Sequence, residues 1–594
     1  MKIKHYFGLA VIAAMTASCS SNEDLGTAGP GTGTNESGAS YASITIDLPT
    51  TRGTRAEIDN FNGGTASEYA VNDATLLIFK EAGTSENDYT FVETVPLGNL
   101  EPWKKDNTDD NGITTEATIT AELKQASVGE GENCDYYALV ILNNKYDDDN
   151  KDKVSMPSST DTYGTWNAAT TVKKLIDYKK GFYMANAPEF KGVDKEPTTL
   201  VPIKGIYRTK EEAHSKPGTT VHVERGLAKV TVGSSTTAGS KDYFAAAGAN
   251  ATGNKYKSDN VKIESWALDV INKYSFPVHV TAWLKDGLTS TSLTIPSYPK
   301  IWSNVSGKTD RFVSQLSAVG AFKRVYWGID PNYSMADLSD LAKCGEQFTL
   351  AEANGTGVTW NDGSGSDKPL YCMENTFDLN NMKQGQTTRV LLKATYTPNA
   401  LASATDKTFF MIGNSSDIWT MDNLKKQIEG KAKEALGITT GLTVVLKGDM
   451  LEGGTHFLTT ENVSIKDGET EKVNTPGLVA TLNQKLGLAE TKGVGIKTYQ
   501  NGESYYIARI KHFGDDFTKW KPGETYGTDN EKYLGRYGVL RNNWYDLTVN
   551  SISGPGYPDV PKVKPGDPDD EDTKYINVSV KILDWAKRSS TLDL

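Results

Sequence analysis

Short runs in which apolar and polar residues alternate with a period of two dominate the chain, each bounded by Gly, Asn, Asp or Pro. The first is Tyr41–Leu48, which places Ile44, Ile46 and Leu48 on one face. Further strands are expected at Ala74–Phe79, Phe91–Val95, Thr118–Leu123, Asp135–Leu142 and Thr220–Val232. A second group covers Val261–Val270, Phe276–Leu284, Thr388–Tyr396, Lys407–Ile412, Tyr505–Ile510 and Trp544–Val549. The last alternating run sets Ile576, Val578, Val580 and Ile582 against Asn577, Ser579 and Lys581. The spacing turns helical in only two places. One is about 168–179, with Val172, Leu175 and Ile176 behind the capping candidates Thr165 and Asn167. The other is Asp422–Leu436, where Leu424, Ile428, Ala432, Ala435 and Leu436 share a face and Gly437 stands at the C-terminal cap position. Many short strands with isolated helices predict a mainly β protein built of β-sandwiches.

At 594 residues the chain exceeds what one core organises. Residues 233–259 carry little pattern, which divides an N-terminal domain at 56–235 from a C-terminal domain at 236–553. Beyond them, 554–572 is rich in Pro, Gly and acid, and is expected not to order itself. Residues 554–574 would then tether the terminal strand of the 554–594 tail over at most ~70 Å, at ~3.3 Å per residue. At the other end, residues 1–18 read as an export signal, with Lys2 and Lys4 ahead of an apolar stretch and Thr16-Ala-Ser18 before Cys19. Small residues before a cysteine match a bacterial lipidation site, which makes Cys19 the candidate acylated residue of a 19–55 propeptide. A flexible spacer, 20–40, separates that cysteine from the first strand. Directly after the strand, Pro49–Ala56 carries Arg52 and Arg55 in a turn-forming segment open to proteolysis.

Charge and residue usage remove several functional classes. A net charge of −12 disfavours nucleic acid or anionic lipid as a partner, leaving the lipid anchor as the membrane contact. If Cys19 is acylated, Cys134, Cys344 and Cys372 allow at most one disulfide. Asp147–Asp152 resembles a calcium loop in composition, but Lys151 occupies a ligand position and neither the Gly nor the closing Glu follows. The acidic run Asp567–Asp572 reads as solvated linker, and His222 and His279 as strand residues. No catalytic constellation, metal site or cofactor motif emerges, and the chain reads as a non-enzyme.

The order of several motifs resembles the fimbrilins of Bacteroidales, the type V pilins, and among them the stalk subunits of minor fimbriae. The resemblance rests on Cys19, the strand before Arg55-Ala56, Val223-Glu-Arg-Gly-Leu-Ala-Lys-Val230 and Val325-Tyr-Trp-Gly-Ile-Asp-Pro-Asn-Tyr333. It continues through Tyr371-Cys-Met-Glu-Asn-Thr-Phe377, Thr387-Thr-Arg-Val390 and Tyr537-Gly-Val-Leu-Arg-Asn-Asn-Trp-Tyr545. The resemblance implies two transthyretin-like β-sandwich domains, export as an outer-membrane lipoprotein, and removal of the first strand by an arginine-specific protease. Cleavage would fall between Arg55 and Ala56, or alternatively after Arg52. Ile44, Ile46 and Leu48 would leave, and Ile576, Val578, Val580 and Ile582 of a neighbouring copy would enter as donor strand. Four buried aliphatic side chains are worth roughly 6–12 kcal/mol gross. The implied product is a fimbrium of copies of this chain and other subunits, serving adhesion to a host or bacterial surface receptor. The competing reading is a surface glycan-binding lipoprotein that never polymerises, or an accessory or tip adhesin. The chain exceeds the length expected of a stalk subunit, and Gly/Asn-rich loops of the second domain are expected to hold the excess.

Overall fold

A computed structural model describes residues 38–48, 65–98, 100, 103, 115–145, 153–169, 175, 181–191, 197–234, 242–244, 255–281, 324–325, 328–332, 338, 340–352, 355–362, 368–376, 383–512, 537–567 and 576–584. Cys19, Arg52, Arg55, Ala56 and all of Asp147–Asp152 lie outside them. The protein is mainly β, as the alternation predicts, with its strands in several sheets.

The first unit contains β1 (Ser40–Asp47), β2 (Ala74–Lys80), β3 (Thr90–Pro96), β4 (Glu116–Leu123) and β5 (Gly129–Glu130). It continues through β6 (Tyr136–Leu142), β7 (Met184–Asn186), β8 (Val201–Pro202), β9 (Gly205–Ile206) and β10 (Thr219–Arg225). The main sheet runs β3-β2-β6-β7-β10-β1-β4, with β8 added beside β6. Its two ends are tied together: the Glu93 carboxylate on β3 accepts backbone N–H bonds from Lys124, Gln125 and Ala126, just past β4. The sheet thus closes over one apolar core that includes Ile44, Leu76, Val140 and Val221. Most of the expected helix at about 168–179 lies outside the described residues, and the described helix beside it is Tyr163–Ala169. Its cap is Thr162, which exchanges bonds of 3.2 and 2.9 Å with Thr165. Asn167 lies inside the helix and binds the Val278 backbone.

The expected single strand 220–232 is two strands. β10 ends at Arg225, and β11 (Leu227–Ser234) begins after Gly226 in a different sheet. The chain therefore passes from the first core to the second at Gly226, ahead of the patternless stretch at 233–259. The second unit adds β12 (Asp242–Phe244), β13 (Asn260–Asp269), β14 (Ile271–Asn272), β15 (Phe348–Thr349), β16 (Leu370–Met373) and β17 (Arg389–Thr397). Phe276–Leu284 does not make the expected strand: its described residues show bends and one bridge, Val280 to Ile329.

After β17 comes an insert of which the sequence reading identifies only the strand at Lys407–Ile412 and the helix Asp422–Leu436, leaving the rest to loops. β18 (Phe409–Ile412), β19 (Thr443–Leu446), β20 (Gly454–His456), β21 (Val463–Asp467), β22 (Thr470–Glu471) and β23 (Ile496–Tyr499) form two three-stranded sheets. Two helices, Met421–Leu436 and Leu478–Lys485, accompany them. Leu424, Ile428, Val463, Leu482 and Ile496 give this insert a core of its own. The long helix carries the predicted cap: Gly437 has φ 66°, and its N–H reaches the Lys433 carbonyl.

The chain returns through β24 (Glu503–Arg509), which pairs with β17 and so closes the insert at its base. Then follow β25 (Asn543–Ile552) and β26 (Ile576–Asp584). Sheet β16-β11-β25-β26 faces sheet β12-β13-β17-β24 across a core containing Val230, Trp266, Tyr396 and Tyr545. Residues 554–567, expected to stay unordered, are packed against this unit, with Val560 and Val563 buried.

Candidate functional site

β1 occupies an internal position in its sheet, which is the central geometric fact about the opening strand. Ile44 to Asp47 run parallel to Thr219 to His222 of β10, and Ser40 to Asp47 pair antiparallel with Leu123 to Glu116 of β4. The face named from the sequence, Ile44, Ile46 and Leu48, is wholly buried, and Ala42 extends it. Alternation identified that face, while Ala42 was too small to register. Both ends are fastened. Tyr41 and Tyr207 exchange backbone bonds of 2.8 Å, and the Leu48 N–H donates to the Thr115 carbonyl at 2.9 Å. Ser40 Oγ donates to the Ala126 carbonyl at 2.8 Å. His222 Nδ1 lies 3.1 Å from Asp47, so this histidine serves the strand pairing. Apart from the hydrogen bonds around Glu93, β1 is what joins β4 to the rest of the sheet.

β26 is placed differently, at the outer edge of its sheet. Ile576 to Asp584 pair antiparallel with Ile552 to Asn543 of β25, with one register shift between Val549 and Ser551. Ile576, Val578, Val580 and Ile582 are therefore all on a backbone ladder to their own chain. A strand bonded along one edge can leave by breaking one ladder, whereas β1 must break two.

The motifs singled out in the sequence converge on the junction between the two units. Glu224 at the end of β10 takes His279 Nδ1 at 2.6 Å and Arg324 Nη2 at 2.9 Å. Arg324 also donates to the Arg541 carbonyl, and Arg541 lies 3.4 Å from Glu374. Arg225 donates through Nη1 to Asn542 and through Nε to the Glu68 carbonyl. Glu68 pairs with Lys229 at 2.8 Å. All of these side chains are buried. Burial raises the Glu224 carboxyl, but the charges of His279 and Arg324 more than offset it and leave it below its usual range. Burial likewise raises Glu68, and Lys229 brings it down on balance. Arg225 is lowered to about 10 by burial. His279, read as a strand residue, is in fact a member of this ionic cluster and lies outside any strand. Gly328 belongs here because a Cβ would sit 2.5 Å from His279 Nε2. The arrangement sets charge against charge among buried side chains drawn from both units, so its effect is to fix one unit against the other.

Among the described residues no three His, Cys, Asp or Glu side chains form a metal-binding group. Cys134, Cys344 and Cys372 are free thiols, and burial pushes Cys344 up to about 11 and Cys372 to about 12.

Comparison with known proteins adds one match within the sequence. Residues 497–591, from β23 through β26, match the family model described as major fimbrial subunit protein type IV, fimbrillin, C-terminal. No curated protein matches the chain. Similar solved structures include a cell-adhesion candidate from Parabacteroides distasonis ATCC 8503, at 10% identity, TM-score 0.36, covering 93% of this chain and 98% of that one. A fimbrilin from Porphyromonas gingivalis W83 is 12% identical with TM-score 0.33, covering 92% and 99%. A C-terminally truncated tip fimbrial protein from Porphyromonas gingivalis is 9% identical with TM-score 0.28, covering 92% and 100%.

Proposed function

We propose, from the match of residues 497–591 to the fimbrillin C-terminal family model, that this chain is a structural subunit of a cell-surface fimbrium that polymerises by exchanging β1 for the β26 of a neighbouring copy. In this reading Cys19 carries the lipid that takes the precursor to the outer membrane. A protease then cuts after Arg55, or after Arg52, and frees β1 from the body. The observation that carries the reading is the internal position of β1 between β10 and β4. Its removal leaves unpaired N–H and C=O groups on both neighbours and an apolar trench where Ala42, Ile44, Ile46 and Leu48 were. That is the vacancy an alternating strand fills. The donor side supports the same scheme, because β26 lies at a sheet edge and presents Ile576, Val578, Val580 and Ile582 with the same two-residue period.

In the uncleaved chain both strands are at home. This is the state an exported precursor must hold, with the groove filled and the donor paired, until the cut. Donation is head-to-tail and does not close on itself, so it yields filaments.

The test is the double substitution Arg52→Ala, Arg55→Ala. The variant should accumulate as monomer retaining residues 41–48, while wild-type filaments should have subunits beginning at Ala56 or Gly53. Normal filaments from the variant would overturn the proposal. Adhesion to a surface receptor follows only from assembly, and is measured on filaments.

A further inference from the structure

Residues 554–567 form a strap that crosses from the end of β25 over the facing sheet, and its attachments are specific. Tyr557 exchanges backbone bonds of 2.8 and 2.7 Å with Tyr505 on β24. The Gly556 N–H donates to Ser504 Oγ at 2.9 Å. Val560 packs with Leu391, Tyr505 and Ile507, and Val563 enters a second cluster with Val270 and Phe348. Between those two valines, Arg389 Nη2 donates to the Pro561 carbonyl at 2.6 Å. Finally, the Gln384 N–H donates to the Asp567 carbonyl at 3.0 Å.

The Arg389 latch is held in place at some expense. Its Nε donates to Asp269 Oδ2 at 2.8 Å, and both side chains are fully buried. Just after Asp269 the backbone turns through Val270, a β-branched residue at φ 58°. That left-handed conformation strains a β-branched residue. It persists because Thr388 Oγ1 binds the Val270 carbonyl at 2.8 Å and Asp269 accepts its N–H at 2.9 Å. A buried ion pair, a strained turn and two valine anchors converge on a segment that composition alone would leave free.

We infer that the strap stays latched to its own subunit when β26 is donated, so that the tail departs from a fixed point at Asp567 rather than swinging from Ile552. The inference rests on the strand-exchange reading above. With the strap fixed, the chain available to reach the next subunit is 568–575. Those eight residues span at most about 26–29 Å, against the ~70 Å that 554–574 would give if it were free. The partner surface is thereby specified as the β1 groove of a second copy brought within that distance. The strap sets the spacing and orientation of successive subunits.

A covalent staple tests this directly. A Cβ built on Gly385 lies 3.2 Å from Pro565 Cβ and 2.9 Å from Cys344 Sγ. Disulfide-bonded pairs have Cβ atoms ~3.5–4.5 Å apart, so Gly385→Cys with Pro565→Cys in a Cys344→Ala background is within a small adjustment of bonding. The full-length precursor is oxidised, the bond verified by mass, and the protein cleaved and assembled with and without reductant. Equal filament yield in both states is expected. Assembly that appears only on reduction overturns the inference. If this variant assembles in neither state, hydrogen exchange at the Tyr557 amide of wild-type filaments decides. Protection as in the monomer supports the latch, and its loss overturns it. Deletion of 576–594 is the separate control for strand exchange: filaments persisting without β26 would remove the premise, whatever the strap does.

Discussion

Lys229 Nζ lies 2.8 Å from Glu68 Oε1 and 4.1 Å from the centre of the Trp544 ring, with the lysine and glutamate side chains 2% and 1% exposed. One residue belongs to the short helix Ala66–Tyr69 of the first unit, and the other to β11 of the second. Removing one partner of such a pair strands the other charge in the interior and costs about 3–5 kcal/mol. Glu68→Gln should therefore destabilise the precursor by that amount in chemical denaturation. Glu68→Leu combined with Lys229→Met should cost less than the sum of the two single changes, because Lys229 is no longer left as an unpaired buried charge.

The opening strand gives a prediction that depends on assembly state. Ile46 is fully buried, and truncating such a side chain to Ala typically costs 2–5 kcal/mol. Ile46→Ala should lower the melting temperature of the uncleaved monomer. The same substitution should leave filament stability unchanged, because the proposed cleavage removes the residue from the mature subunit. A matching loss in purified filaments would show that β1 is retained there.

Asp330 supplies a pH dependence. Burial raises its carboxyl to about 7 from 3.8, despite the N–H bonds it accepts from Asn332 and Thr376, and the nearby Glu374 charge adds to the shift. A carboxyl whose folded value exceeds its unfolded value binds more protons when folded. Its contribution is complete below about pH 3.8 and is lost as pH rises through about 7. The span of about three units corresponds to a loss on the order of 4 kcal/mol. Glu68 and Glu224 are lowered and act in the opposite sense, so the measurement is a difference. The stability of wild type relative to Asp330→Asn should fall between pH 4 and 7 and level off above.

The insert between β17 and β24 has its own core, and should respond to damage on its own. Ile428→Asp places an unpaired charge among Leu424, Ala432 and Leu482. Hydrogen exchange should then rise across the helix Met421–Leu436 while the β13–β17 ladder stays protected. Gly437→Ala, at φ 66°, should destabilise the same helix by about 1–2 kcal/mol.

Much of the strand content was legible because alternation reports burial of one face, and β2, β4, β6, β13, β17 and β25 fall close to where it placed them. What was missed has physical causes. At Gly226 the chain changes sheets, and the apolar positions shift from odd, Val221 and Val223, to even, Val230 and Val232, across Glu224-Arg-Gly226; reading the stretch as one strand passed over that change of phase. The strap was judged by its Pro, Gly and acid content, yet Tyr557, Val560 and Val563 recur every third residue. Three per turn is the period of a polyproline II ribbon, and a scan at that period would have found the anchors. The ionic junction was hidden for another reason. Glu224, Arg324, Glu374 and Arg541 are distant in sequence, and each looks like an ordinary surface charge until the fold brings them together. The motifs that carried the family resemblance nonetheless supplied several of its members, including Glu224, Lys229, Glu374 and Arg541.

Under the proposed exchange, the slot left by β1 would be bordered on both sides, by β10 and by β4. A strand seated there acts as a keystone rather than as an added edge. Tension along a filament would pull such a strand lengthwise, loading both ladders in shear, so that many hydrogen bonds share the force instead of opening one at a time. A polymer joined in this way resists stretching through geometry, without any covalent link between its subunits.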